Sequence, residues 1–373
     1  MRIRQLDILR GLAILLVFGS HMAHCSGDLN EFVLALIGTW RRCGWIGVDL
    51  FFVLSGFLIS GLLFREHQRR GQIRIGRFLI RRAFKIYPAF YVYLAFVVAV
   101  RFFSDDPYQL KVVLSEFFFV QNYFFRIFSH SWSLAVEEHF YLGLPLLLLY
   151  LVKRCRRGND DPFRPLVWVF FAVASCLLAF RIFNASRLPY APETHMYPTH
   201  LRIDSLLFGV LLSYWHHYRP ERVAAFIGRW EPLMVIGGTL LVMPSLWVPA
   251  RHPFMHTIGV TCLYVGFGSM MLVALHARSQ RASLLRPLGP VLAAIGVYSY
   301  SIYLWHLPMR ALGLEWARGF AGGPLPCSVE MVIYVAGGIA LGIVMSKLVE
   351  MPALKLRDRL FPSMSRPVGV IGT

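Results

Sequence analysis

Charge is scarce in this chain. Only 16% of its 373 residues are Asp, Glu, Lys or Arg, while 57% are hydrophobic, and a soluble globular protein carries roughly 25% charged residues. That shortage excludes an ordinary water-soluble fold. Acid is the scarcer sign, 20 residues against 38 basic ones, for a net charge of +18. Such an excess in a soluble chain would point to nucleic acid. Here the basic residues fall between apolar blocks, where they orient helices and meet anionic headgroups, so no nucleic-acid partner is expected.

Other absences narrow the classes further. The six cysteines, Cys25, Cys43, Cys155, Cys176, Cys262 and Cys327, form no CxxC and no metal-like spacing with histidine, so no metal is expected. A Cys25–Cys43 disulfide is an expectation carried only by their places at the two ends of one loop. No small-residue cleavage site follows the first apolar stretch, which reads as a retained span rather than a signal peptide. No internal repeat or low-complexity tract is present.

What the chain does have is apolar blocks of membrane-crossing length. The fold expected is all-α, a polytopic transmembrane helical bundle of about ten spans: 8–25, 45–64, 86–103, 134–152, 165–183, 201–217, 232–249, 256–276, 290–309 and 329–349. A transmembrane domain over 1–360 and a short disordered tail over 361–373 follow. The apolar piece Val112–Phe125 is too short to cross and carries Glu116, Gln121 and Asn122, which suits a re-entrant or interfacial segment. Basic clusters on alternate loops, among them Arg65–Lys85 and Lys153–Arg157, predict both termini in the cytoplasm.

Ionisable groups inside spans are costly and are therefore functional candidates. In span 1, Arg10 and His21 lie eleven residues apart, on one helix face and about 16 Å apart along the axis. Asp7 lies one turn before Arg10 and could pair with it; His24 reads as interfacial. Asp49 opens span 2, where Gly47, Gly56 and Gly61 suit helix packing. Arg77, Arg81, Arg82 and Lys85 form an amphipathic basic stretch fit for phosphate. Glu137 and Glu138 enter span 4 about 100° apart, so only one can face a given cavity. Arg202 and Asp204 open span 6, His306 closes span 9 and Glu350 closes span 10. Counted from the span ends, His21, Asp49, Glu137, Arg202, Asp204 and His306 fall within about 6 Å of one boundary. Arg10 and the arginine loop fall towards the other. That depth pattern predicts one polar layer, with His21 as general base, Asp49 or Glu137 orienting it and Arg202 stabilising an oxyanion.

The segments LDILRGLAILLVFGSH, GVDLFFVLSGFLI, RRAFKIYP, WSLAVEEHFYL, RIDSLLFG, YSYSIYLWHLP and the final EMP occur in the order found in the acyltransferase-3 integral membrane proteins, which this chain resembles from Leu6 to Pro352. The resemblance implies transfer of an acyl group, usually acetyl, from acyl-coenzyme A to a hydroxyl of an extracytoplasmic glycan, glycolipid or small molecule at a bacterial-type inner membrane. It matches Arg10 and His21 to the family's arginine–histidine pair, and Arg81 and Arg82 to its coenzyme-linked basic segment. Larger members append a periplasmic esterase-like domain that is not expected here, which leaves the acceptor open. The rival expectation is a transporter using Asp, Glu, His and Arg as a proton or substrate relay. The missing repeat and the lack of paired broken helices weigh against it. The sequence does not indicate an oligomeric state.

Overall fold

The structure, a computed structural model, describes residues 3–24, 29–155, 161–276 and 288–362. Its elements among these residues are helices. In chain order they are α1 (Arg4–Ser20), α2 (Glu31–Cys43), α3 (Gly47–Arg70), α4 (Ile75–Phe103), α5 (Leu110–Phe117), α6 (Trp132–Arg154), α7 (Leu166–Arg187), the single turn α8 (Pro192–His195), α9 (Ile203–Tyr218), α10 (Pro220–Val242), α11 (Val260–His276), α12 (Gly289–Val297), α13 (Ser299–Pro308), α14 (Leu314–Ala321), α15 (Cys327–Met345) and α16 (Met351–Leu360). Helix is what a lipid solvent demands, because each backbone N–H and C=O must be paired within its own segment.

Seven helical stretches among the described residues are long and apolar enough to cross a membrane: 31–70, 75–103, 129–154, 166–187, 220–246, 255–276 and 327–360. The expected count of ten is therefore not confirmed. α1, α9 and the broken pair α12–α13 stand at the other three expected places, but α1 and α9 have only 17 and 16 residues and α12 stops at Val297 before α13 starts at Ser299.

Close helix crossings centre on glycine. A Cβ on Gly56 of α3 would stand 1.9 Å from the Leu206 carbonyl oxygen of α9, and one on Gly209 of α9 would stand 2.2 Å from that of Val53. Likewise Gly11 of α1 abuts Leu292 of α12, and Gly296 abuts Asp7. Gly47 lies against the Ala13 carbonyl and Gly61 against His217, so the three glycines of span 2 do pack helices. Held on two sides in this way, α1 presents Arg10 and His21 in fixed directions.

The piece expected to be re-entrant or interfacial does not cross. α5 is eight residues long, and the irregular chain after it folds Gln121 and Asn122 inward, against the Ser131 carbonyl (2.9 Å) and Thr199 Oγ1 (2.8 Å). Glu116 Oε1 accepts from the Ile127 N–H (2.9 Å) and Ser131 Oγ (2.7 Å), fixing the entry to α6.

Three expectations need correction or fall outside view. Cys43 is a buried free thiol, so it does not pair with Cys25, which itself lies outside the described residues. Arg10 makes no ion pair with Asp7. The supposed tail starts with held residues: the Phe361 carbonyl accepts from Arg81, and that of Pro362 from Arg77. Residues 363–373 lie outside the described residues.

Candidate active site

α1 ends at Ser20, and His21 forms its cap, its N–H bonded to the Phe18 carbonyl at 3.2 Å. Leaving the helix there turns the imidazole toward α13. His21 Nδ1 faces the Val17 carbonyl at 3.1 Å, Ser20 Oγ at 3.1 Å and His306 Nε2 at 3.4 Å. The Ser20 hydroxyl gives its own hydrogen to Val17. A carbonyl can only accept, so His21 carries its proton on Nδ1 and leaves Nε2 with a lone pair. By the same rule His306 Nδ1, 2.7 Å from the Tyr303 carbonyl, is protonated and its Nε2 is the acceptor facing His21.

His130 completes a triangle. Its ring centroid is 5.0 Å from that of His306 and 6.5 Å from that of His21, and it is as buried as His306. Tyr303 bonds the His130 carbonyl at 2.8 Å and Ser133 Oγ at 2.6 Å. Its ring centroid lies 5.6 Å from that of His306. Among the described residues no group of His, Cys, Asp and Glu is arranged to hold a metal ion.

Behind Tyr303 and Ser133 runs a buried pocket whose polar lining includes Arg10, Ser55, Arg82, Lys85, Glu137 and Tyr141. Glu137 accepts from Tyr141 Oη, which is 2.6 Å from Ser55 Oγ. Glu138 points elsewhere, accepting from Tyr87 at 3.2 Å, so one of the adjacent pair faces the cavity as their angular spacing requires. A second pocket, lined by Arg65, Arg69, Arg70, Arg77, Arg81, Arg82 and Arg357, lies at the arginine-rich end of the bundle. Arg82 belongs to both linings.

The single polar layer read from depth divides into four. His21 and His306 meet. Asp49 does not reach His21; it holds Arg202 at 2.6 Å, both fully buried. Asp204 holds Arg181 at 2.8 Å. Glu137 shares a pocket with Arg10 and Arg82, which depth had assigned to the other side. Depth fixes height along a helix, whereas partners depend on azimuth and helix order. Arg202 is boxed by Asp49 and by the rings of Phe52 and Trp132, 5.8 and 5.6 Å from its guanidinium, and lines neither pocket. Lys85 is bonded to Glu350, with Ser301 and Ser346 on the other carboxylate oxygen; it lines the buried pocket, not the arginine-rich mouth. Arg81 bonds Asp358 at 3.1 Å. His24 lies 2.8 Å from Arg41, at the exposed end.

The acyltransferase domain described as Acyl_transf_3 matches residues 3–347. The chain belongs to that family. It carries that acyltransferase domain on a bundle of helices, several of them long and apolar enough to cross a membrane. Among curated proteins it is 28% identical over 332 residues to the peptidoglycan O-acetyltransferase OatA of Listeria monocytogenes, covering 83% of this chain and 49% of the relative. It is 27% identical over 325 residues to the O-acetyltransferase OatA of Staphylococcus aureus, covering 82% and 51%. The chain thus spans about half the length of these relatives. No solved structure matches.

Several residues of this candidate site escaped the sequence reading. His130 and Tyr303 lie inside the segments HSWSLAVEEHFYL and YSYSIYLWHLP, but nothing in the spacing singles them out. Arg357 belongs to a basic cluster that reads as topology alone.

Proposed function

We propose that this chain transfers an acetyl group from acetyl-coenzyme A, bound from the cytoplasmic side, to a hydroxyl of an extracytoplasmic glycan or related acceptor, with His21 as general base. The observation that carries the reading is that Arg82 lines both the arginine-rich mouth and the buried pocket that ends at Ser133 and Tyr303, beside the histidines. The names of the relatives support acetyl as the group and a glycan as the acceptor. The basic mouth is the cytoplasmic side by the positive-inside rule, in a bacterial-type inner membrane with both termini inside.

Arginines suit the coenzyme's phosphates because the guanidinium fork matches phosphate oxygens. The pantetheine arm would follow the buried pocket and bring its thioester toward Tyr303. The acceptor oxygen attacks the thioester carbonyl while His21 Nε2 takes its proton. The tetrahedral intermediate then expels the coenzyme thiolate as the C–S bond breaks, and the thiolate takes the proton from His21. Nδ1–H, held by Val17 and His306, keeps the ring in the tautomer that the step needs. Arg10, which lines the buried pocket with Arg82, adds to the positive field that draws the anionic donor in.

The test is donor binding and acetyl transfer by purified protein in detergent. His21→Ala should bind acetyl-coenzyme A as the parent does and lose about 10²–10⁴ in transfer rate. Arg82→Gln should weaken donor binding about ten- to a hundredfold, the range for a charged hydrogen bond. Near-normal transfer by His21→Ala, or undiminished donor affinity in Arg82→Gln, would refute the reading.

A further inference from the structure

The last described segment of the chain lies on arginines assigned to the donor. α16 follows the π-helical turn Ser346–Glu350. Glu350 anchors its root: the buried carboxylate accepts from Lys85, from Ser301 Oγ at 2.6 Å and from Ser346 Oγ at 3.0 Å. At the far end of the helix, Asp358 Oδ1 accepts from Arg81 Nη2 at 3.1 Å and from Arg357 Nε at 3.0 Å. The Phe361 carbonyl then accepts from Arg81, and the Pro362 carbonyl from Arg77. Arg77, Arg81 and Arg357 all line the arginine-rich mouth.

These acceptors take up the groups that a phosphate would use. A carboxylate shared by two guanidiniums, with carbonyl oxygens on further N–H groups, engages the same donors that match phosphate oxygens. Little else holds the segment. Every residue of α16 is half-buried or exposed, so apolar burial anchors it weakly. The Asp358 side chain is 50% exposed, and an ion pair open to water contributes little net free energy. Phe361 adds one ring contact, its centroid 6.1 Å from that of Phe84. A ligand with several phosphates brings more negative charge to these arginines than one carboxylate does. One guanidinium N–H cannot serve both acceptors at once, so donor and segment compete.

We propose that residues 358–362 form an autoinhibitory strap, which occupies Arg77 and Arg81 in the donor-free protein and is displaced when acyl-coenzyme A binds. This rests on the donor assignment above. Glu350 keeps the root of α16 in place while its far end lets go. The apparent donor affinity is then the intrinsic affinity reduced by the fraction of molecules whose mouth is open. The strap also keeps the cations of the mouth paired between turnovers.

The experiment uses the full chain in nonionic detergent, with acetyl-coenzyme A as the ligand and no acceptor. Hydrogen–deuterium exchange of peptides covering 351–362 is followed with and without ligand, and affinity is measured by titration calorimetry. In the parent the donor should speed exchange at 358–361, including the Phe361 N–H, which bonds the Arg357 carbonyl at 2.7 Å. Asp358→Asn should exchange fast there without donor and should bind the donor about two- to fivefold more tightly, the range set by one exposed ion pair. Glu66→Gln removes another acid of the mouth and should leave exchange at 358–361 as in the parent. Donor binding to the parent with unchanged or slower exchange at 358–361 would overturn the strap. So would an Asp358→Asn protein with parent-like exchange, or with equal or weaker donor affinity. An affinity gain that Glu66→Gln reproduces, with exchange at 358–361 unchanged in both variants, would be charge removal alone and would also overturn it. Parent-like exchange at the α3–α9 crossing checks that each variant keeps its fold. Failure of the underlying reading looks different: the parent would not bind acetyl-coenzyme A at all, which overturns the donor assignment and the strap with it.

Discussion

Replacing Asp49 separates a structural from a catalytic role for the most buried carboxylate of span 2. Asp49 Oδ1 lies 2.6 Å from an Arg202 nitrogen, and neither side chain reaches solvent. Among the described residues Arg202 Nε and Nη1 have no hydrogen-bond acceptor, so Asp49→Ala would leave the guanidinium buried against the Phe52 and Trp132 faces. Removing one partner of a buried pair costs about 3–5 kcal/mol, and the two ring contacts, present with or without Asp49, do not offset it. That loss is a large share of the roughly 5–15 kcal/mol that holds a typical domain together. Asp49→Ala with Arg202→Met, which keeps the length of the side chain between the two rings, removes both charges and should regain most of that loss. Unfolding in detergent, followed by tryptophan fluorescence with size-exclusion as a check on dispersity, gives all four corners of the double-mutant cycle. A coupling below about 1 kcal/mol would refute the charge-balance argument. So would an Asp49→Ala protein as stable as the parent yet inactive, which would return Asp49 to the chemistry.

Gly56→Ala places a methyl 1.9 Å from the Leu206 carbonyl oxygen, so α3 and α9 must part; about 1–3 kcal/mol should be lost, while Gly76→Ala, with open space around the new methyl, should change stability by less than about 0.5 kcal/mol. Equal thermal midpoints for the two variants would show that the crossing is not tight. Glu116 lies outside the membrane-crossing stretches, and burial pushes its carboxyl up to about 7 against the bonds from Ile127 and Ser131 and the charge of Arg126. The folded protein then holds that proton after the unfolded chain has lost it, so its contribution to stability is fullest below the ordinary value of 4.5 and falls as pH rises toward about 7. Glu116→Gln should flatten that part of the stability–pH curve, and an unchanged slope would show that another group is responsible.

The sequence by itself determined the solvent of this protein. Long apolar blocks with few charges require lipid and helices, and the helices stand where those blocks lie. The glycines of span 2 were legible as packing positions because a small residue at a crossing has few other uses in a membrane helix. Arg82 and His21 were legible because a charge or an imidazole in an apolar stretch has to answer for its cost. Partners were not legible. Asp49 and Arg202 are 153 residues apart in the chain, and His21 and His306 are 285 apart. Periodicity gives each residue a height and an angle on its own helix, but not the helix that angle faces. Tertiary packing decided that Asp49 answers Arg202 and not His21, that Glu137 is bonded by Tyr141, and that the group steadying His21 is a backbone carbonyl with a second histidine in place of a carboxylate. The physical reason is that each contact between helices depends on the relative rotation of the two, set by where their glycines let the backbones touch.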